Sequence, residues 1–144
     1  MSRKLFNPAT WFGSDHIVRT RELVRMLNAR EYEALEHTLA EDFVYLDTAG
    51  SPIRGRDAFL AAMRELYNRV EDMQIETDEV FEQEGDVLVK GRLLGSDPDY
   101  CSESLWRIQF GDDDRLCEMQ AFRDQNAVSV TRLTAHLRRE PTPS

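Results

Sequence analysis

The sequence predicts an α+β fold with helices first and an antiparallel sheet afterwards, and two observations carry that prediction. Up to about Val70 the apolar residues recur at helical spacing, as in Phe59, Met63, Leu66 and Val70. Beyond Met73 the period drops to two, as in Val87, Val89, Gly91 and Leu93 against Leu88, Lys90 and Arg92. A sheet that follows its helices in the chain buries its apolar face by curving around them. Such a sheet, with helices across one mouth, encloses a cavity of the kind that holds small ligands.

At 144 residues the chain is read as one domain over residues 15–139, with an N-terminal arm at 1–14 and a disordered tail at 140–144. The arm carries Phe6, Trp11 and Phe12 without a clear period and is expected to lie over the domain. Ser14-Asp15 reads as a helix start, and Ile17, Thr20, Leu23, Val24 and Leu27 form one stripe. Asn28-Ala29-Arg30 is a break, and Glu31 to Ala40 is expected to be a second helix with Tyr32, Leu35 and Leu39 inward.

Asp42 to Leu46 reads as a strand whose alternation puts Phe43, Tyr45 and Asp47 on one face. A turn at Ala49-Gly50-Ser51-Pro52 then leads through Gly55 into a third helix, Arg56 to Arg69. If the Phe43 face is the interior one, Asp47 stands near the floor of an apolar space, where a carboxylate becomes a useful proton acceptor. The competing reading is that Asp47 ends the strand and bonds the turn beside it.

The remainder reads as strands. Met73 to Phe81 and Val87 to Leu94 flank the turn Gln83-Glu84-Gly85-Asp86, and Glu103 to Phe110 and Arg115 to Arg123 flank Gly111-Asp112-Asp113-Asp114. Ser104, Trp106, Ile108 and Phe110 are expected to share a face with Cys117, Met119 and Ala121, with Ile108 opposite Cys117. That register puts Cys101 beyond bonding reach of Cys117, and two free thiols suit a reducing compartment. Asn126 to Arg139 suits a helix through Val130, Leu133 and Leu137, although Val128 and Val130 also suit a strand. The helix is the expectation.

The net charge of −9 argues against nucleic acid or an anionic membrane as partner, since both need a cationic face. The first eight residues hold two cations but no apolar stretch of a signal peptide, so the expected compartment is the cytoplasm. No metal is expected, because His16, His37 and His136 lack partners at ligand spacing. No glycine-rich phosphate loop appears, and no cofactor is expected.

The segments Glu31-Tyr32-Glu33-Ala34-Leu35, Ala40-Glu41-Asp42-Phe43-Val44, Asp47 with Pro52-Ile53-Arg54-Gly55-Arg56-Asp57, and Met119-Gln120-Ala121-Phe122 carry a resemblance. Across about residues 15–125 the chain resembles the nuclear-transport-factor-2-like (NTF2-like) superfamily, which includes ketosteroid isomerases and SnoaL-like polyketide cyclases. The resemblance implies a cone-shaped curved sheet around the N-terminal helices. It places Asp47 where ketosteroid isomerases hold the aspartate that moves a proton between ring carbons. It also places Leu23 at that family's oxyanion-hole tyrosine and Trp106 at its protonated aspartate. Leu23 donates no hydrogen bond and Trp106 has one indole N–H, so the oxyanion site of a steroid isomerase is not reproduced.

Three functions follow as expectations. The first is a proton-transfer isomerase, aldol-type cyclase or dehydratase, with Asp47 as base and Tyr45 as hydrogen-bond donor. Its small apolar substrate would lie against Phe59, Met63, Trp106, Phe110 and Met119, with Arg123 at the mouth. The second is a binding domain using the same pocket without chemistry. The third is a dimerisation domain; Leu105 and Phe122 interrupt the polar outer face of the sheet, and a homodimer through that face is expected.

Overall fold

The structure is a computed structural model that describes residues 15–47, 51–123 and 129–137. The N-terminal arm, the Ala49-Gly50 part of the first turn, residues 126–128 and the C-terminal tail lie outside the described residues. Helix α1 (Asp15–Ala29) and helix α2 (Tyr32–Thr38) lead into strand β1 (Leu39–Leu46). Strand β2 (Ile53–Arg54) and helix α3 (Arg56–Arg69) follow, then β3 (Gln74–Gln83), β4 (Asp86–Leu94), β5 (Ser102–Phe110) and β6 (Leu116–Arg123). A four-residue helix α4 (Val130–Leu133) and a 3-10 turn (Ala135–Leu137) end the described chain. The six strands form one curved, unclosed sheet in the order β2-β1-β6-β5-β4-β3. The α+β expectation holds, and the core lies between the concave sheet face and α1 and α3.

Helix α3 spans the residues its stripe predicts, and it buries Phe59, Leu60, Met63, Leu66 and Tyr67. Its entrance depends on Gly55, whose φ of 101° is in the region that disfavours a side chain. That conformation lets the Gly55 N–H donate to the Phe43 carbonyl at 2.7 Å, fastening the start of α3 to β1. The long hairpin of β3 and β4 also turns on a glycine, for a different reason. A Cβ on Gly91 would meet the Glu76 carbonyl oxygen at 2.1 Å, beside a bulge in β3 between Thr77 and Glu79.

Four expectations are corrected. Leu39 and Ala40 belong to β1 and do not extend α2, because Leu39 pairs with Leu116 across the sheet. The sheet is antiparallel except at one junction: β1 lies parallel to β6, with Tyr45 opposite Met119. These two strands are separated in sequence by α3 and two hairpins, which gives the chain length a parallel pairing needs. In the last hairpin Ile108 faces Met119 and not Cys117, and a register shift between Gln109 and Phe110 brings Leu116 opposite Phe110. Leu116 is therefore the buried residue, while Cys117 is half-buried and both cysteines are free. Among the described residues of Asn126 to Arg139, the α-helix covers Val130–Leu133 and gives way to a 3-10 turn at Ala135–Leu137.

On the outer sheet face Leu105 and Phe122 are cross-strand partners, and Phe122 is 40% exposed. Around them Arg92 is bonded to Asp78 and Glu76, and Arg107 approaches Asp86 and Glu118. Among the described residues no helix is long and apolar enough to cross a membrane.

Candidate functional site

The alternation of β1 turns Phe43 and Tyr45 into the core, where both rings pack on Phe59 at centroid distances of 4.9 and 5.5 Å. On β5 the same alternation turns Trp106 inward, between Val89 and Ala121 on the neighbouring strands. The small Ala121 leaves room for the indole. Between these strands and α3 lies a small, partly open cavity lined by six of the expected residues, Tyr45, Phe59, Met63, Trp106, Met119 and Arg123. Tyr67 from α3, Leu27 from α1 and Val130 from α4 also line it.

Phe110 is not among the lining residues. Its ring stacks on the imidazole of His16, with centroids 4.1 Å apart and planes within 2°. The bulge at this end of β5 and the approach of α1 account for that packing. Asp47 also lies outside the lining. Its carboxylate accepts the Ser129 hydroxyl at 3.0 and 2.9 Å and the Thr131 backbone N–H at 3.2 Å. The donors described for Asp47 thus come from the far end of the chain. Leu23 is buried in the core away from the cavity.

The polar groups of the cavity wall are all hydrogen-bond donors: the hydroxyls of Tyr45 and Tyr67, the indole of Trp106 and the guanidinium of Arg123. Arg123 Nη2 lies 3.4 Å from the Tyr45 hydroxyl oxygen, which accepts from it and so keeps its own proton available. Burial pushes the Tyr45 hydroxyl up to about 12, against the pull of the nearby Arg123. Burial likewise pushes Tyr67 up to about 12, opposed first by Arg30. Both are neutral donors across the physiological range. Tyr67 and Trp106 make no hydrogen bond among the described residues, although both are more than nine-tenths buried.

The cavity offers ≈ 30 Å³ to the centre of a water molecule, room for about two waters. No organic molecule of substrate size fits without movement of a wall. Among the described residues, no group of His, Cys, Asp or Glu side chains is arranged to hold a metal.

Sequence reasoning missed Tyr67, Ser129, Thr131 and Val130 as parts of this region. Tyr67 reads as one more apolar member of the α3 stripe, and its hydroxyl is the only sign of another role. Ser129 carries a legible signal, a helix N-cap: its Oγ accepts the Arg132 N–H at 3.2 Å. Nothing local connects that cap with Asp47.

Among solved structures, an NTF2-like protein of unknown function from Burkholderia pseudomallei shares 17% identity. It covers 87% of this chain and 95% of that one, with a TM-score of 0.68. A candidate ketosteroid isomerase from Kribbella flavida shares 20% identity over 90% of this chain and 83% of its own, with a TM-score of 0.65. A candidate polyketide cyclase from Sinorhizobium meliloti shares 18% over 72% and 92%, with a TM-score of 0.64. At these identities the likeness is one of fold. No curated protein matches the chain. The SnoaL-like domain profile matches residues 20–140, from the first turns of α1 to beyond the described C-terminal turn, and the chain therefore belongs to the SnoaL-like family.

Proposed function

We propose that the protein binds a small, largely apolar molecule bearing an acceptor oxygen in the cavity between α3 and the sheet, and acts on it by proton transfer. The observation carrying this reading is the chemistry of the wall. Aliphatic and aromatic side chains surround four donors, of which Tyr67 and Trp106 are buried and make no hydrogen bond among the described residues. Both donors line the cavity, so an acceptor entering it can bond to them in place of water. A carbonyl oxygen meets that requirement, and an enolate oxygen meets it better as negative charge develops.

In this reading Asp47 is the general base. Its carboxylate takes a proton from the carbon beside the carbonyl, and the bonding pair moves into the enolate, whose oxygen is held by the Tyr45 hydroxyl. Return of the proton from Asp47 to another carbon of a conjugated enolate completes an isomerisation; attack of the enolate carbon on a second carbonyl, whose oxygen then takes the proton back from Asp47, completes an aldol-type cyclisation. The relatives named as candidate isomerase and cyclase are in keeping with both outcomes. No cofactor enters either scheme.

Nuclear magnetic resonance of the Trp106 indole N–H during titration with 2-naphthol and with small apolar ketones tests the binding step. The resonance is expected to move, and Tyr67→Phe is expected to weaken the interaction. Deuterium uptake from solvent beside the ketone carbonyl, lost in Asp47→Asn, tests the chemistry. An indole signal that stays fixed at millimolar ligand overturns the binding reading. A second reading, a non-catalytic binding or dimerisation domain, is favoured by the small cavity and by the Leu105–Phe122 pair on the outer face.

A further inference from the structure

The carboxylate of Asp47 is bonded to a serine 82 positions later and a backbone amide 84 positions later. Between those two donors sits Val130, which is 2% exposed and forms part of the cavity wall. The other lining residues stand on α1, α3 or the sheet strands, apart from Met73, whose carbonyl is held by Arg30 Nη2 at 2.7 Å. Val130 alone stands on a short piece of chain, a four-residue helix followed by one 3-10 turn. A helix of that length has no stability of its own and keeps its place through its attachments. These include the Asp47 bonds and, at the far end, His136 Nε2, 3.7 Å from Glu65 on α3.

We infer that Ser129–Leu137 is a movable cover on the cavity and that Asp47 is its latch. The inference rests on the reading of the cavity as a ligand site. A space for about two waters admits a ligand only if a wall moves, and this segment is the wall with the least secondary structure behind it. Its displacement withdraws Val130 from the cavity. The same movement releases the carboxylate oxygens of Asp47, just past the end of β1 and two residues after Tyr45, from Ser129 and Thr131. Entry of the ligand and loss of these bonds to the base are then one event. In the closed state the base is occupied by its own chain.

Residue-resolved hydrogen exchange on the full chain tests the latch. The amides of Thr131, Arg132, Thr134 and Leu137 are expected to exchange at least about tenfold faster than those of Met119 and Ala121 in β6, through an opening insensitive to low urea. Ser129→Ala removes both the bond to the Asp47 carboxylate and the cap on the Arg132 N–H, so Asp47→Asn, which leaves the cap in place, is made beside it; both are expected to speed the Thr131, Thr134 and Leu137 amides by a further factor of about ten, with β6 unchanged. Added 2-naphthol is expected to bind more tightly to Ser129→Ala than to the wild type, because the open form is more populated. Exchange of the four amides only in step with β6, with the same urea dependence, overturns the cover. Fast local exchange that Ser129→Ala accelerates, without any response of Trp106 to 2-naphthol in either protein, supports the cover and overturns the ligand reading on which its purpose rests.

Discussion

The guanidinium of Arg30 lies over the ring of Tyr67, 3.6 Å from its centroid, and its nitrogens reach four backbone carbonyls. Two of these, Leu27 and Asn28, are at the end of α1, and two, Glu71 and Met73, are in the connection between α3 and β3. Arg30 itself has a φ of 59°, unusual for a residue with a side chain. The break after α1 is thus a junction that ties two helices and the first long strand together beside the cavity.

Arg30→Ala is therefore expected to destabilise the fold by about 2–4 kcal/mol, from several hydrogen bonds of a charged donor plus the ring contact. Arg30→Lys keeps the charge but not the planar fork and is expected to recover less than half of that loss. Urea unfolding of the three proteins measures both. Equal midpoints for Arg30→Ala and the wild type remove the junction from the account.

Gly91→Ala is expected to destabilise the fold although it removes no contact. The added carbon would sit 2.1 Å from a carbonyl oxygen of the neighbouring strand, and backbone cannot yield as a flexible side chain does. Separation of β3 from β4 at the bulge is expected to cost about 2–3 kcal/mol, at the upper end of an overpacked core. Thermal unfolding and the soluble yield report it. A change below about 1 kcal/mol would show that the bulge relaxes freely.

Much of this fold was legible because its signals are local. Phe59, Met63, Leu66 and Val70 repeat at helical spacing, and Gly55 marks the point where the chain turns into α3, so the helix is read to the residue. The inward faces of β4 and β5 follow from plain alternation. What escaped depends on partners distant in the chain. Asn28 reads as a helix end, yet its side-chain amide exchanges hydrogen bonds with the Ile75 backbone at 2.9 and 2.8 Å, as a neighbouring strand would. The parallel pairing of β1 with β6 leaves no trace in either segment. The site divides in the same way: Tyr45, Trp106 and Met119 follow from strand periodicity, whereas the placement of Asp47 depends on Ser129 and Thr131.

The outer face of the sheet leads to a prediction about assembly. Leu105 and Phe122 form an apolar pair on the outer face, flanked by Arg92, which is bonded to Asp78 and Glu76, and such a mixed apolar and polar face suits a contact with a second copy. Light scattering at micromolar concentration is expected to give twice the chain mass, and Phe122→Asp is expected to return it to the monomer. A monomeric mass for the wild type, unchanged by the substitution, counts against a dimer.

The two buried tyrosines predict how stability responds to alkali. Burial holds the hydroxyls of Tyr45 and Tyr67 at about 12, above the ordinary value of 10.0, because the phenolate loses its hydration in the core. The unfolded chain releases these protons near pH 10 while the native protein retains them. Between about pH 10 and 12 the native state therefore binds more protons than the unfolded state, and the unfolding free energy falls as pH rises. The contribution is fully present below pH 10 and is lost through the folded value. For a shift of this size it amounts to about 2–3 kcal/mol per residue at most. Lys4 and Lys90 are the only lysines in the sequence, so few other side chains obscure the window. Tyr67→Phe is expected to make the decline of the urea midpoint with pH shallower, and Tyr45→Phe to do the same after its lost bond to Arg123 is allowed for. Absorbance at the phenolate band follows the groups directly: two of the four tyrosines are expected to ionise only near pH 12 or on unfolding. Ionisation of all four near pH 10 in a protein that is still folded would mean that the cavity admits solvent freely, and Tyr45 and Tyr67 would not be the dry donors that the proposed site requires.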